Sequence, residues 1–156
     1  MKRALVVVEA ADDVDVHPTE GSKEITKLAG ELAAGVGAEL VIMHVTTEQD
    51  YQDRHRQLSS MEELDVEYDV DTAARGARQF AANVANEVLA DIDVEVTPVG
   101  RLGEITEKVY SVAEEFECDH LFITGRRRSP AGKAIFGDVA QSLILNFEGP
   151  VTVTTA

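Results

Sequence analysis

The sequence has few of the features that mark secreted, membrane or disulfide-bonded proteins. Its one cysteine, Cys118, excludes an internal disulfide, and it is typical of a small buried side chain. No run approaches the roughly 18 continuous apolar residues of a membrane helix. The apolar run that starts at Ala4 stops at Glu9, which is too short for the core of a signal peptide. We therefore expect a cytoplasmic protein with no membrane partner.

Basic residues are also scarce. The chain has 14 lysines and arginines against 29 aspartates and glutamates, and its net charge is -15. Such a surface repels nucleic acid, so a nucleic-acid partner is not expected. The acidic residues are scattered through the helical segments, which suggests a solvated surface adapted to high salt, a halophilic trait. At 156 residues, the chain has the length of one domain, residues 1–156.

The usual motifs of enzymes and metal sites are missing. No Gly-x-Ser-x-Gly elbow occurs, and Lys133 after Gly132 does not complete a P-loop, because six residues separate Gly132 from Gly125 and Ala134 has no hydroxyl for Mg²⁺. Metal-ligand spacing is absent from the four histidines, which are His17, His44, His55 and His120. The sequence therefore predicts neither a metal site nor an enzyme.

Apolar patterns alternate between strands and helices along the chain. Continuous or alternating apolar runs predict five strands, at residues 4–8, 39–45, 94–99, 121–124 and 151–154. Helical periodicity predicts four helices, at residues 25–36, 72–89, 105–116 and 139–147. Residues 46–70 show only weak periodicity, and a short helix there is left open. This order predicts an α/β fold, a doubly wound five-stranded parallel sheet with helices on both faces.

Single residues indicate where several elements begin or end. Pro98 places the third strand at an edge of the sheet, and residues 100–103 are expected to form a tight turn after it. Asp71 or Thr72 is expected to cap the second helix. Glu104 is expected in the first turn of the third helix, where a carboxylate interacts favourably with the helix dipole.

Ligands in such sheets bind beyond the carboxyl ends of strands, which nominates the loops at residues 9–13 and 125–138. The second loop carries Arg126, Arg127 and Arg128, which either bind phosphate or pair with carboxylates. Asp138 stands where the last helix should be capped. Its carboxylate would then occupy the N–H groups that otherwise hold a phosphate.

Several segments carry a resemblance to a known family. The strand that ends at Gly125, the glycine Gly137 before a helix, the segment 100–105 and the pair Gly149-Pro150 resemble the universal stress protein family over essentially the whole chain. That resemblance implies the strand order 3-2-1-4-5 and homodimers paired through the last strand, here Val151, Thr152 and Val153. In one branch of the family it implies an ATP site.

The phosphate motif of that branch is incomplete here. The family pattern is a glycine, two residues, a glycine, nine residues, a glycine, and then serine or threonine. Gly125 and Gly137 match glycines, but Arg128 stands at the second glycine, only eight residues separate it from Gly137, and Asp138 replaces the hydroxyl residue. The family's acidic residue next to the nucleoside corresponds to Glu9.

Three functions follow from this resemblance. The first is a non-enzymatic stress-related regulatory or binding protein with a degenerate adenine-nucleotide site. The second is a genuine ATP- or AMP-binding protein. In it the strand from Val41 to Val45 lies beside adenine, Glu9 lies near the ribose, and the loop from Gly125 to Gly137 with its three arginines holds the phosphates of ATP, ADP or AMP. An ATP-hydrolysing enzyme is the third, and it is disfavoured because no Mg²⁺ ligand or general base is evident.

Overall fold

The computed structural model describes residues 1–12, 16–59, 69–125 and 137–155. Its strands are β1 (Arg3–Val7), β2 (Glu39–Thr46), β3 (Val96–Leu102), β4 (His120–Gly125) and β5 (Val151–Thr155). Its helices are α1 (Glu20–Val36), α2 (Glu48–Ser59), α3 (Val70–Val88), α4 (Ile105–Glu115) and α5 (Asp138–Asn146). The strands form one parallel sheet in the order β3-β2-β1-β4-β5, which confirms the predicted fold.

The central strand β1 accounts for the first apolar run in the sequence. It pairs in parallel with β2 on one side and with β4 on the other, so that Leu5 lies opposite both Val41 and Leu121. Helices cover both faces of the sheet, and the side chains of residues 4–8 are therefore all buried. A polar residue at any of these positions would lie in one of two cores.

Each face of the sheet has its own hydrophobic core. On one face Val6, Ile42 and Phe122 pack against α1 and α3, with Phe80 of α3 only 2% exposed. On the other face Leu5, Val41 and Leu121 pack against α4 and α5. Alternate residues of the same strands pack into opposite cores, because successive side chains of a strand point to opposite faces of the sheet.

The helix α2 is the main element that the sequence pattern did not assign. Four helices were predicted and five are described, because α2 occupies part of the segment left open. Its residues are almost all polar, and most of them are exposed. Hydrophobic periodicity cannot reveal a helix that contributes little to a core. Within the described residues, no helix has the length and apolar character needed to cross a membrane.

The starts of α1, α3 and α4 differ from the prediction, and α1 begins at Glu20, five residues before the predicted start at residue 25. The helix α3 begins at Val70, and its N-cap is Asp69, whose carboxylate accepts a 2.8 Å hydrogen bond from the backbone N–H of Thr72. The predicted caps, Asp71 and Thr72, are therefore wrong, because the apolar pattern begins one turn after the helix does. Glu104 is not inside α4 but is its N-cap.

Gly100 belongs to a strand and not to the predicted turn. The strand β3 continues through Leu102, where it pairs with Thr46, and it is an edge strand as Pro98 predicted. A Cβ atom on Gly100 would lie 2.1 Å from the backbone nitrogen of Arg78 and 2.3 Å from the carbonyl oxygen of Ala74. This glycine therefore permits close packing of α3 on β3.

Candidate functional site

The structure contains a cavity of about 260 Å³ at the carboxyl ends of β1 and β2. The segment that follows β1 forms one wall, the end of β2 forms another, and α2 and α4 contribute one residue each. The lining residues are Val7, Val8, Glu9, Ala10, Ala11, Asp12, His44, Val45, Thr47, Asp50 and Ile105. This position, at the carboxyl end of the central strand, is next to the reversal of strand order between β1 and β4 at which open α/β sheets bind ligands.

Backbone hydrogen bonds hold the first wall against α1. The backbone N–H of Glu9 donates to Ser22 Oγ at 2.8 Å, and the N–H of Thr19 donates to the Glu9 carbonyl at 3.1 Å. Thr19 is also the N-cap of α1, since its side chain accepts from the N–H of Ser22. The main chain of Glu9 is thus fixed, and its half-buried side chain lines the cavity.

Asp12 closes the loop between β1 and α1. Its carboxylate accepts hydrogen bonds from the backbone N–H groups of Val16 (3.0 Å) and His17 (3.2 Å), and it lies 2.7 Å from His17 Nδ1. The bonds from Val16 and from the His17 side chain hold the pKa of Asp12 below its usual range. The sequence placed Asp12 only within the candidate ligand loop at residues 9–13, and it did not predict this role.

His44 forms the wall between the cavity and the core. Its side chain is buried, and Nδ1 lies 2.9 Å from the carbonyl oxygen of Val8. A carbonyl oxygen only accepts, so Nδ1 carries the hydrogen and donates it. The ring also lies over Phe80, with the ring centroids 4.5 Å apart. His44 therefore lies between the core and the cavity.

The charged side chains that line this cavity, among the residues that the structure describes, are all acidic. They are Glu9, Asp12 and Asp50. Carboxylates within one cavity repel a phosphate and raise the free energy of binding a polyphosphate. Most of the remaining lining residues are apolar, with His44 and Thr47 as polar exceptions, and such a lining suits an uncharged group such as a nucleobase or a sugar.

Of the two predicted nucleotide-binding residues near the central strands, only one lines the cavity. Glu9 lines the cavity as expected. Val41 does not, because it lies in the middle of β2 and is only 1% exposed. The β2 residues on the cavity are His44 and Val45, at the open end of the strand. A sequence shows that a strand is apolar, but not which of its residues face a cavity at its end.

The predicted phosphate loop is described only at its two ends. Gly125 ends β4, where it pairs with Thr155 of β5, whereas the pairing of β4 with β1 extends only to Phe122. Gly137 is the N-cap of α5, with a φ of 78° that favours glycine. Arg126, Arg127 and Arg128 lie outside the described residues. The expected phosphate contacts of all these residues stay predictions.

Asp138 does not cap α5. It is the first helical residue, it is exposed, and the N-terminus of α5 has no side-chain capping hydrogen bond. The predicted cap is therefore wrong, because the chain turns at Gly137 and not at the aspartate. The carboxylate still lies in the first turn, where the helix dipole favours a negative charge. Asp138 would therefore oppose a bound phosphate through its negative charge, and not by occupying the backbone N–H groups of the helix.

A second cavity, of about 530 Å³, lies at the carboxyl ends of β2 and β3. Three of its lining residues are acidic and one is basic, namely Glu48, Glu104, Glu107 and Lys108.

In the described part of the chain, no three His, Cys, Asp or Glu side chains are grouped so that they could hold a metal ion. Burial raises the pKa of the Cys118 thiol to about 11, which opposes formation of a reactive thiolate.

The strand β5 forms one edge of the sheet, and its residues are half-buried. Val151 and Val153 pack against the core beneath α4 and α5, and Thr152 Oγ1 lies 2.8 Å from His120 Nε2 on the other face. The side chains of Val151, Thr152 and Val153 therefore contact other residues of the same chain. The outer backbone edge of β5 has no neighbouring strand in the described sheet.

Comparison with solved structures finds proteins of the same fold over nearly the whole chain. A universal stress protein from Archaeoglobus fulgidus is 21% identical, with 98% of each chain covered and a TM-score of 0.60. A universal stress protein family protein from Arabidopsis thaliana, solved with AMP bound, is 15% identical, with 99% of this chain and 92% of that chain covered and a TM-score of 0.58.

A universal stress protein in complex with cAMP is also 15% identical, with 99% of this chain and 96% of that chain covered and a TM-score of 0.57. At these identities the likeness is one of fold. A search of curated proteins finds no match. The model of the universal stress protein family, however, matches residues 1–155. Because this family model matches nearly the whole chain, and the sheet has the strand order expected for the family, the protein belongs to the universal stress protein family.

Proposed function

We propose that this protein is a non-enzymatic regulatory binding protein whose cavity at β1 and β2 takes adenosine or an adenine nucleotide with few phosphates in preference to ATP. The observation that carries the proposal is the acidic wall formed by Glu9, Asp12 and Asp50. Such a wall tolerates an uncharged nucleoside and opposes each added phosphate charge. Regulation would follow from ligand binding, not from turnover.

Two related structures support the choice of an adenine ligand. One was solved with AMP bound and another in complex with cAMP, and each of these ligands carries a single phosphate. The cavity of this chain lies at the end of the central strand, where ligands of this fold class bind. Its volume of about 260 Å³ is close to the lower end of the range for small-molecule pockets.

The loop between β4 and α5 supports weak phosphate binding for two reasons. Arg128 stands at the second glycine of the family motif, and the following spacing is one residue short. Asp138 adds a negative charge at the N-terminus of α5, where a phosphate would otherwise interact with the helix dipole. We therefore regard the phosphate site as degenerate.

The alternative is an ATP- or AMP-binding protein in which Arg126, Arg127 and Arg128 neutralise the phosphates. Guanidinium groups bind phosphate bidentately, and three in succession are unusual in a chain with a net charge of -15. This alternative predicts that affinity rises with the number of phosphates. The preferred function predicts the reverse order, so one titration separates the two.

We further propose that the protein forms a homodimer through the outer edge of β5, at Val151, Thr152 and Val153. An edge strand with unpaired backbone groups can pair with the same strand of a second copy around a two-fold axis. Pairing would leave the cavity at β1 and β2 open, because that cavity lies two strands away in the sheet.

Calorimetric titration in about 1 M KCl, where surface repulsion is screened, tests the ligand preference. We expect the affinities to fall in the order adenosine or AMP, then ADP, then ATP. The substitution Asp138→Ser should raise the ATP affinity about two- to fivefold, because it removes a carboxylate that repels the phosphates, and an interaction between exposed charges is about that strong.

Asp91→Ser is the matched control, since it removes the same charge from an exposed position at the opposite end of the sheet. It should leave the ATP affinity unchanged. Tighter binding of ATP than of AMP by the unmodified protein contradicts the degenerate site and supports the arginine alternative. Release of inorganic phosphate from ATP would contradict the non-enzymatic assignment.

A further inference from the structure

Asp12 and His17 link the inside of the β1–β2 cavity to solvent. The Asp12 carboxylate lines the cavity, and its side chain is 30% exposed. The His17 imidazole, whose Nδ1 lies 2.7 Å from Asp12 Oδ2, is 77% exposed. The histidine can therefore exchange its proton with water while it contacts a wall of the cavity.

Backbone hydrogen bonds bring Asp12 and His17 together. The backbone N–H of Ala11 donates to the carbonyl oxygen of His17 at 2.8 Å, and Ala10 pairs with Pro18 in an antiparallel bridge. The Asp12 carboxylate also accepts the backbone N–H groups of Val16 and His17. A change in the charge of the imidazole would thus alter the charge next to the cavity and leave these backbone bonds in place.

The groups that face the cavity from the neighbouring elements are few. Glu9 lies on the same loop as the pair, His44 on β2 and Asp50 on α2, while α4 contributes the uncharged Ile105. Asp13 and Asp15, in the same loop, lie outside the described residues. An imidazole ordinarily gains its proton between about pH 8 and pH 5. A proton on His17 would pair one of the three described carboxylates with a positive charge.

We propose that His17 determines, through its charge, how well this cavity accepts a phosphate-bearing ligand, so that binding of such ligands strengthens as the pH falls. The inference rests on the proposed function, because it concerns the same cavity. His17 does not contact the ligand, and it acts by changing the net charge of its pair with Asp12. The carboxylate remains ionised through this pH range, since its hydrogen bonds from Val16 and His17 lower the pKa of Asp12.

The experiment compares a charged and an uncharged ligand at two pH values. The charged probe is cAMP, because its phosphodiester keeps one negative charge across the range, whereas the phosphate of AMP itself titrates near pH 6. The uncharged probe is adenosine. Between about pH 7.5 and pH 5.5 we expect the cAMP affinity to rise about two- to fivefold, the range of an exposed ion pair, and the adenosine affinity to stay constant.

The substitution His17→Gln keeps a hydrogen-bond donor near Asp12 and removes the titratable charge, so it should abolish the pH response to cAMP. His55→Gln is the control, since it removes a titratable imidazole from α2 that does not line the cavity. This variant should keep the full response.

Three outcomes distinguish the inference from the proposed function. A pH response that disappears only in His17→Gln supports the inference. Binding of both ligands with no pH response, or with a response that persists in His17→Gln, overturns the inference and leaves the proposed function standing. No binding of adenosine or of cAMP at either pH overturns the proposed function, and the inference fails with it.

Discussion

At Gly100 the helix α3 passes so close to β3 that no side chain fits between them. The nearest atoms to a Cβ there, the backbone nitrogen of Arg78 and the carbonyl oxygen of Ala74, belong to the main chain of α3. A side chain could rotate away, but a helix backbone must shift as a unit. The size of residue 100 therefore fixes the distance between α3 and the edge of the sheet.

Gly100→Ala should lower the free energy of unfolding by about 3 kcal/mol, the upper end for overpacking a core, because backbone atoms cannot yield. Gly76→Ala, on the exposed side of α3, is the matched control. It has no heavy atom within 4 Å of a new Cβ, and it should raise stability by about 0.5–1 kcal/mol by favouring the helix. Urea unfolding of both variants measures the difference. Equal effects would show that α3 does not hold β3 this closely.

Asp138 and Val41 show the limit of sequence reasoning for single residues. The sequence indicated correctly that a helix begins near Asp138, yet the cap is Gly137, because a left-handed φ can be adopted by the glycine without any side-chain bond. Val41 was assigned to a strand correctly, but its depth in the sheet excludes it from the cavity. Both differences arise from shifts of one to four residues, which periodicity does not resolve.

Among the elements, those that bury an apolar face were predictable and those that do not were missed. The strands β1 and β2 are runs of buried residues, so hydrophobicity alone located them. The helix α2 has no such face, and the pattern could not establish it. The cavity itself depends on this helix through Asp50. The acidic wall of the site could therefore be predicted only in part, from Glu9.

Capping of α4 offers a test at the level of one element. The Glu104 carboxylate accepts hydrogen bonds from the backbone N–H groups of Glu107 (2.7 Å) and Thr106 (3.1 Å). These bonds, that from Glu107 foremost, hold the pKa of Glu104 below its usual range. The carboxylate thus stabilises the fold while it is ionised, and loses this contribution when it is protonated.

Glu104→Ala should cost about 0.5–1 kcal/mol of unfolding free energy near pH 7, the lower part of the range for a lost cap at an exposed site. A depressed pKa in the folded state means that the contribution is complete above the ordinary glutamate pKa of about 4.3 and is lost as the pH falls below it. The difference between the two proteins should therefore shrink in acid. Glu114→Ala, on the exposed face of α4, should show no such loss. Chemical denaturation at several pH values measures both.

For the whole molecule, the dominant quantity is a net charge of -15 carried on 156 residues. Ion pairs within the described residues, such as Arg3 with Glu39 and Arg101 with Glu115, offset only part of it. The remaining repulsion acts against the compact state, and it acts again when two copies of the chain approach each other. Salt would therefore favour both the folded chain and the proposed homodimer.

The melting temperature should rise between about 0.05 M and about 2 M KCl, because the Debye length falls from more than 10 Å to a few ångströms and the acidic side chains cease to repel one another. If the homodimer forms, the melting temperature at high salt should also rise with protein concentration, since association stabilises the folded state by mass action. Melts at two concentrations separate the two effects. Sucrose at the same molar concentration as KCl is the uncharged control. In sucrose the melting temperature should not rise with protein concentration. A melting temperature that stays level or falls in KCl would contradict a surface adapted to high salt.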